Sequence, residues 1–272
     1  MVDRDACGTG AVITVDAVTG EQAPLSHGGM FVNPSGVAIA GDGTLLVADT
    51  DAFGGAGGLI RVDPATGEQA AVPVADVALR KPFGIAVEAG GSAIVAYAEQ
   101  PGGHGDVLRV DPVSGEHGVL SPRAPFSVPL WVAVEGSGDV LVVDLDATGA
   151  GSRLHRIDGA NGTLVTLSTG KPRGAVLEGV ALEADGGIVV ANSPNQAPQE
   201  VLRFDAATGG HTMVSTGQHL VAPFGVAVEA SGDILVADQV AGVVRVRPDT
   251  GAQTVLADGG EFVFPFAIAV VP

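Results

Sequence analysis

One four-residue phrase returns six times along the chain: Gly36-Val37-Ala38-Ile39, Gly84-Ile85-Ala86-Val87, Trp131-Val132-Ala133-Val134, Gly179-Val180-Ala181-Leu182, Gly225-Val226-Ala227-Val228 and Ala267-Ile268-Ala269-Val270. The spacings are 48, 47, 48, 46 and 42 residues. A second phrase keeps the same beat at Val15-Asp16, Val62-Asp63, Val110-Asp111, Ile157-Asp158, Phe204-Asp205 and Val246-Arg247, each followed within a few residues by a glycine. A period of roughly 40–50 residues is the mark of a propeller or a comparable repeat array. Within one period, short apolar runs alternate with turn signals such as Gly41-Asp42-Gly43 and Asp63-Pro64, so each unit reads as four antiparallel strands joined by tight turns. In the first unit these strands fall at about 36–40, 45–50, 58–64 and 67–73. We letter them a to d. No stretch carries the pattern of a long amphipathic helix. Six such units arranged about an axis protect their sheet edges by radial repetition.

The reading is therefore all-β: a single six-bladed propeller domain spanning residues 1–272, with blades at about 36–73, 84–120, 131–168, 179–215 and 225–256. The sixth joins 262–272 to 10–25. The first stretch of the chain carries only c and d phrases, and the last carries only an a phrase. Strand b of the closing blade is absent from the repeat pattern, which leaves three outcomes: a three-stranded blade, completion by another segment, or a trimmed chain.

Composition narrows the partners. The formal net charge is −18, which opposes adhesion to nucleic acid or anionic lipid. The longest apolar runs, such as Phe262 to Val271, fall short of the roughly 20 residues of a membrane helix. No basic segment followed by an apolar one opens the sequence, so a soluble chain is expected. Cys7 is the single cysteine, which excludes an intramolecular disulfide and a cysteine zinc cluster. The six histidines show no pair at zinc-ligand spacing, and neither a phosphate-binding glycine loop nor a Gly-x-Ser-x-Gly elbow is present.

The phrases Pro82-Phe83-Gly84-Ile85-Ala86, Leu235-Val236-Ala237-Asp238 and Leu108-Arg109-Val110-Asp111 resemble NHL-type repeats. These belong to the broad six-bladed class that includes the senescence-marker/gluconolactonase and strictosidine synthase-like propellers. The resemblance covers nearly the whole chain and implies that ligands bind near the axis, on the rim where strand a starts and strand b ends. It also implies an exported protein, although a cytoplasmic one fits the sequence as well.

On that rim, here called the top face, the residue before each a phrase should ring the channel mouth: Ser35, Phe83, Leu130, Glu178, Phe224 and Phe266, with Trp131 replacing glycine in its blade. Glu178 is the only acid in the ring. Surrounded by Phe and Trp, its carboxyl would have its charged form disfavoured and its pKa raised toward the range of a general acid or base. Alternatively it accepts hydrogen bonds from backbone amides or binds water. In gluconolactonase-like enzymes the resemblance implies a calcium ion held by several Glu, Asn and Asp at this ring. Here only Glu178 matches. Strictosidine synthase-like propellers imply one glutamate in an apolar pocket with no metal, an arrangement closer to this one.

A second ring lies at the b-strand ends: Asp49, Tyr97, Asp144, Asn192 and Asp238, with Asp51, Glu99 and Asp146 two residues on. It offers either calcium or sugar-hydroxyl ligation, with Glu178, Asn192, Asp144 and Asp238 as the candidate metal set, or Asx-type caps on the following loops. Scarce cations gather in the top loops as Arg80, Lys81, Arg123, Lys171 and Arg173, beside His27 and His219, and favour an anionic ligand, although Asp76, Asp258 and Glu261 dilute the effect. On the opposite rim Glu88, Glu135, Glu183 and Glu229 end their a strands, and Arg61, Arg109, Arg156, Arg203 and Arg245 share one strand c position, which points to structural pairing.

The functional expectation is a propeller that binds a small molecule, glycan or protein on its top face, through Phe83, Leu130, Trp131, Phe224, Phe266, Tyr97, Asn192, Lys81, Arg80 and His219. No cofactor is required, and calcium is the one candidate. The alternative is an enzyme, either a metal-free lyase or cyclase using Glu178 as acid or base, or a metal-dependent hydrolase or lactonase.

Overall fold

Short runs of Val, Ile, Leu and Ala bounded by Gly, Asp and Pro cannot bury themselves alone; they do so by pairing edge to edge and stacking face to face. The computed structural model describes residues 1–74, 79–98, 104–122, 126–146, 151–168, 175–194 and 197–271, and in it these runs form six four-stranded antiparallel sheets. The first blade, strands a to d, is Pro34–Ile39, Leu45–Asp49, Gly58–Val62 and Gln69–Ala71. The second is Pro82–Val87, Ala93–Tyr97, Asp106–Val110 and His117–Val119. The third is Val128–Val134, Val140–Leu145, Ser152–Ile157 and Leu164–Thr166. The fourth is Leu177–Leu182, Ile188–Asn192, Glu200–Phe204 and His211–Thr216. The fifth is Pro223–Val228, Ile234–Asp238, Gly242–Val246 and Gln253–Ala257. Among the described residues no helix is long and apolar enough to cross a membrane.

The closing blade is complete. Its order is Pro265–Ala267, Val2–Asp3, Ala11–Val15 and Gln22–His27, so two residues near the amino terminus supply strand b and sit between both ends of the chain. Val2 pairs with Val12 on one side and Ala267 on the other. Of the three outcomes left open by the repeat pattern, completion by another segment is the one the fold adopts.

What fixes this strand is Asp3. Its buried carboxylate accepts from the backbone N–H groups of Asp5 (3.0 Å), Ala6 (2.8 Å), Val263 (2.9 Å) and Phe264 (2.8 Å), which ties the loop ahead of strand a to the loop behind strand b. Asp49 does the same for Val32, Asn33, Asp51 and Ala52, and Asp238 for Val221, Ala222, Val240 and Ala241. Ionised acceptors make such bonds stronger than neutral ones, and each otherwise unpaired buried N–H would carry a desolvation cost.

Glycine in the a phrase reflects how closely inner strands meet around the axis. A Cβ at Gly36 would stand 2.3 Å from the Phe83 carbonyl oxygen of the next blade, closer than real atoms allow. The c–d turn glycines answer a second constraint, since Gly67 has φ +73° and a Cβ there would meet the Leu25 carbonyl oxygen of the preceding blade at 2.1 Å.

The bottom rim is laced by bidentate pairs: Arg109 with Glu88, Arg156 with Glu135, Arg203 with Glu183 and Arg245 with Glu229. Arg109, Arg156 and Arg245 each also donate to a carbonyl of the following blade, on Gly159, Ala206 and Ala17. The expected structural pairing of this strand c arginine is thus seen in four blades, while the first has Ala40 at the Glu position beside Arg61.

Removing the Asp3 carboxylate strands four backbone N–H groups that are buried or partly buried. We expect Asp3→Ala to destabilise the ring by about 3 kcal/mol or more, a fall of roughly 6–10 °C in Tm, while Asp5→Ala, at an exposed carboxylate, stays within about 0.5 kcal/mol. Calorimetric melts of both variants check this. Equal, small effects would show that Val2–Asp3 does not seal the ring.

Candidate functional site

Each a strand starts with a local shift of register, as between Pro34 and Gly36 or Pro223 and Val226, which turns the residue before the phrase toward the axis. Six blades place six such residues around one mouth. Ser35 is wholly buried and spends its hydroxyl within 3.2 Å of the carbonyls of Ala48, Pro82 and Phe83, locking the first blade to the second. The aromatic members converge. Trp131 of the third blade and Phe266 of the sixth come from opposite sides of the ring, yet their rings stack with centroids 5.4 Å apart. Phe224 lies 4.8 Å from Phe266, and Phe264 6.5 Å from it. These side chains fill the channel at this level and make a floor. Phe83, Leu130 and Phe224 are half-buried and offer apolar surface around it.

Glu178 sits in that aromatic setting with 8% of its surface exposed, and its Oε2 accepts from Trp131 Nε1 at 3.2 Å. Burial raises its pKa from 4.5 to about 7, opposed by the indole hydrogen bond and by the charge of Arg4. The carboxyl thus changes protonation state near neutrality.

Arg4 had no place in the sequence-based expectations. It follows Asp3 at the end of the two-residue strand b, and its guanidinium carbon lies 3.3 Å from the centre of the Phe266 ring and 5.7 Å from that of Phe83. Its Nε and Nη2 are buried without an acceptor. Burial lowers its pKa from 12.5 to about 10, against the opposing charges of Asp51, Asp49, Asp5 and Glu178, so it stays charged at neutral pH. The signal that could have found it is the tetrad Asp3-Arg4-Asp5-Ala6, which matches Asp49-Thr50-Asp51-Ala52 and Asp144-Leu145-Asp146-Ala147.

The remaining candidates are dispersed. Asp238 caps its following loop at Val240 and Ala241, as the Asx-cap alternative has it, and also accepts from Val221 and Ala222 upstream, whereas the recorded donors to Asp144 are Ser127 and Val128 of the preceding loop. Asn192 donates Nδ2 to Glu200 Oε2 at 2.8 Å and keeps Oδ1 buried without a partner. Among the described residues no three His, Cys, Asp or Glu side chains gather as a metal cage, and the candidate set Glu178, Asn192, Asp144 and Asp238 is not brought together as one. The physical reason is that Asp238 serves four backbone donors, Asp144 serves two, and Glu178 faces an indole. Tyr97 shares a hydrogen bond with Asp106. Lys81 pairs with Asp51 and holds a left-handed φ of 54°. Arg80 and Lys81 line a cleft of about 550 Å³ with Phe53, Leu59, Val72 and Leu79, between the first two blades. His219 is exposed, and its backbone N–H donates to Gln253. Arg123, Lys171, Arg173, Glu99 and Asp76 lie outside the described residues.

No protein-family model matches the chain, and no curated protein matches it in sequence. Among solved structures it is similar to a gluconolactonase from Xanthomonas campestris, with 16% identity, 95% of this chain and 88% of that one covered, and a TM-score of 0.67. A periplasmic gluconolactonase from Pseudomonas aeruginosa matches with 19% identity, coverage of 97% and 96%, and a TM-score of 0.60. A catalytically inactive virginiamycin B lyase from Staphylococcus aureus, solved with quinupristin, matches with 14% identity, coverage of 86% and 73%, and a TM-score of 0.62. The chain therefore shares the β-propeller fold of these proteins, with six blades in its own ring.

Trp131 is the only tryptophan, so its emission reports on Glu178. We expect wild-type fluorescence to titrate with a midpoint near pH 7 and Glu178→Gln to flatten that transition. A raised carboxyl pKa favours folding below the unfolded value near 4.5, and this contribution is lost as pH rises through about 7. Wild type should therefore lose on the order of 3 kcal/mol between pH 4.5 and 8 from this group, and Glu178→Gln should not. Paired melts across that range check the sign, and identical pH profiles would refute it.

Proposed function

We propose that the protein binds a small molecule over the top-face mouth, where the ligand rests on Phe83, Leu130 and Phe224 and engages Glu178 and Arg4. The observation that carries this reading is the mouth itself: a carboxyl held near neutrality against an indole, beside a guanidinium with unused donors. A buried polar pair with this much unspent hydrogen-bonding capacity is costly in a purely structural role. Its span of a few side chains suits a small molecule better than the broad surface that a protein partner requires.

A second reading, favoured by the Glu178 pKa of about 7, is catalysis of the lyase or cyclase type, with Glu178 moving a proton to or from the ligand. The fold shared with gluconolactonases and a streptogramin lyase supports an enzyme at this rim. Among the described residues the acidic donors do not gather around one point, which favours the metal-free form of this reading.

The test is a small-molecule screen read by both Tm and Trp131 emission, repeated on Leu130→Arg, which places a long side chain at the mouth. Ligands should move both signals in wild type and weaken at least about tenfold in the variant. Ligands that raise Tm but leave Trp131 emission and the Leu130→Arg affinity unchanged would place binding elsewhere. For the catalytic reading, lactone opening is followed with glucono-δ-lactone and elimination with quinupristin. Turnover that follows the Glu178 titration and falls about 10²–10⁴-fold in Glu178→Gln would support it, and full activity in that variant would refute it.

A further inference from the structure

Resting on the binding reading above, we propose that Arg4 is the anchor for a carboxylate, so that the ligand class of this mouth is a small organic acid with a flat apolar body. Three observations lead there. The Arg4 guanidinium carbon lies over Phe266, 3.3 Å from the ring centre, and a guanidinium stacked on a ring keeps its N–H donors directed outward in its own plane. Nε and Nη2, the two donors of one edge, are the fork that receives both oxygens of a carboxylate, and both lack an acceptor.

The neighbouring acids are committed elsewhere. Asp49 serves four backbone N–H groups, and Asp51 accepts from Asn33, Thr50 and Lys81. Glu178 accepts from Trp131, and Asp5 is exposed to water. No carboxylate lies within ion-pair distance of Arg4 among the described residues, so its charge acts at longer range only.

The surroundings define the rest of the ligand. Phe83 lies beside the guanidinium at 5.7 Å, Phe224 and Leu130 add half-buried apolar surface to the same mouth, and Phe266, stacked on Trp131, lies under the guanidinium. A ring or planar chain stacks there while its acid group reaches Arg4. Because Nε and Nη2 are closed to bulk water, a ligand displaces neighbouring side chains as it docks, and the emission of Trp131, stacked on Phe266, should register that movement.

The probes are benzoate, phenylacetate and indole-3-acetate, each set against its own primary amide, which keeps the shape and removes the charge. Binding to wild type is measured by titration calorimetry, and by Trp131 emission for the two probes without an indole. The acids should bind at least about tenfold more tightly than their amides. Arg4→Met should remove that preference and Arg4→Lys should recover part of it, since a lysine keeps the charge but not the fork. Acid and amide binding equally to wild type would overturn the assignment without need of any variant. If amides or neutral lactones bind at the mouth and acids do not, the anchor role fails while the mouth stands as a binding site. If no probe of either kind binds, the anchor role fails, and the small-molecule screen decides separately on the mouth.

Discussion

A propeller ring is only as strong as the seam that closes it, and here that seam is a strand of two residues. Two backbone pairings on either side are too few to hold a blade together. The Asp3 carboxylate supplies what the strand lacks, because its four backbone donors come from both loops that the strand must join. Everything on the top face depends on this fastening. Arg4 follows Asp3 directly and reaches the axis only if strand b is in place, and Phe264 and Phe266 are positioned by the same carboxylate from the other side.

The chemistry of the mouth follows from a break in the packing rule that shapes the other blades. Where inner strands of neighbouring blades meet, glycine lets backbone approach backbone, as at Gly84 against Leu130 and Gly225 against Phe266. Trp131 fills that position in the third blade, so an indole occupies the place that glycine holds in four blades and Ala267 in the sixth. An indole N–H in an apolar site wants an acceptor, and the adjoining blade offers Glu178. Many carboxylates of this acidic chain, such as Asp49, Asp238, Glu88 and Glu135, are held by several N–H donors or by arginine forks. Glu178 has one neutral donor and burial, and burial prevails.

Much of this was legible in the sequence, and the omissions have identifiable causes. The a phrases and the Asp-x-x-x-Gly turns repeat because every blade solves the same packing problem, so periodicity alone predicts the strand order of the first five blades. Glu178 stood out because the repeat makes its exception visible. Asp3 and Arg4 did not, since a two-residue strand has no periodicity and lies far in sequence from the blade it completes. The b-strand aspartates read equally as ligands or caps, because sequence specifies a carboxylate but not its donors. Backbone N–H groups from loops 16 and 17 residues upstream decide the matter for Asp49 and Asp238.

The two rims of the ring use charge in opposite ways, and this difference argues for where function resides. At the bottom, arginines and glutamates neutralise one another in bidentate pairs and tie a blade to its successor. Such pairs hold their geometry at any ordinary pH and leave little capacity unspent. At the top, the Arg4 edge and the Glu178 carboxyl stand close enough to feel one another's charge without forming a pair, and both are largely withdrawn from water. Had selection acted on stability alone, an ion pair or two apolar side chains would serve better at this point. Keeping an acid and a base apart in an aromatic bowl costs folding energy, and the return is a place where a third group can enter between them.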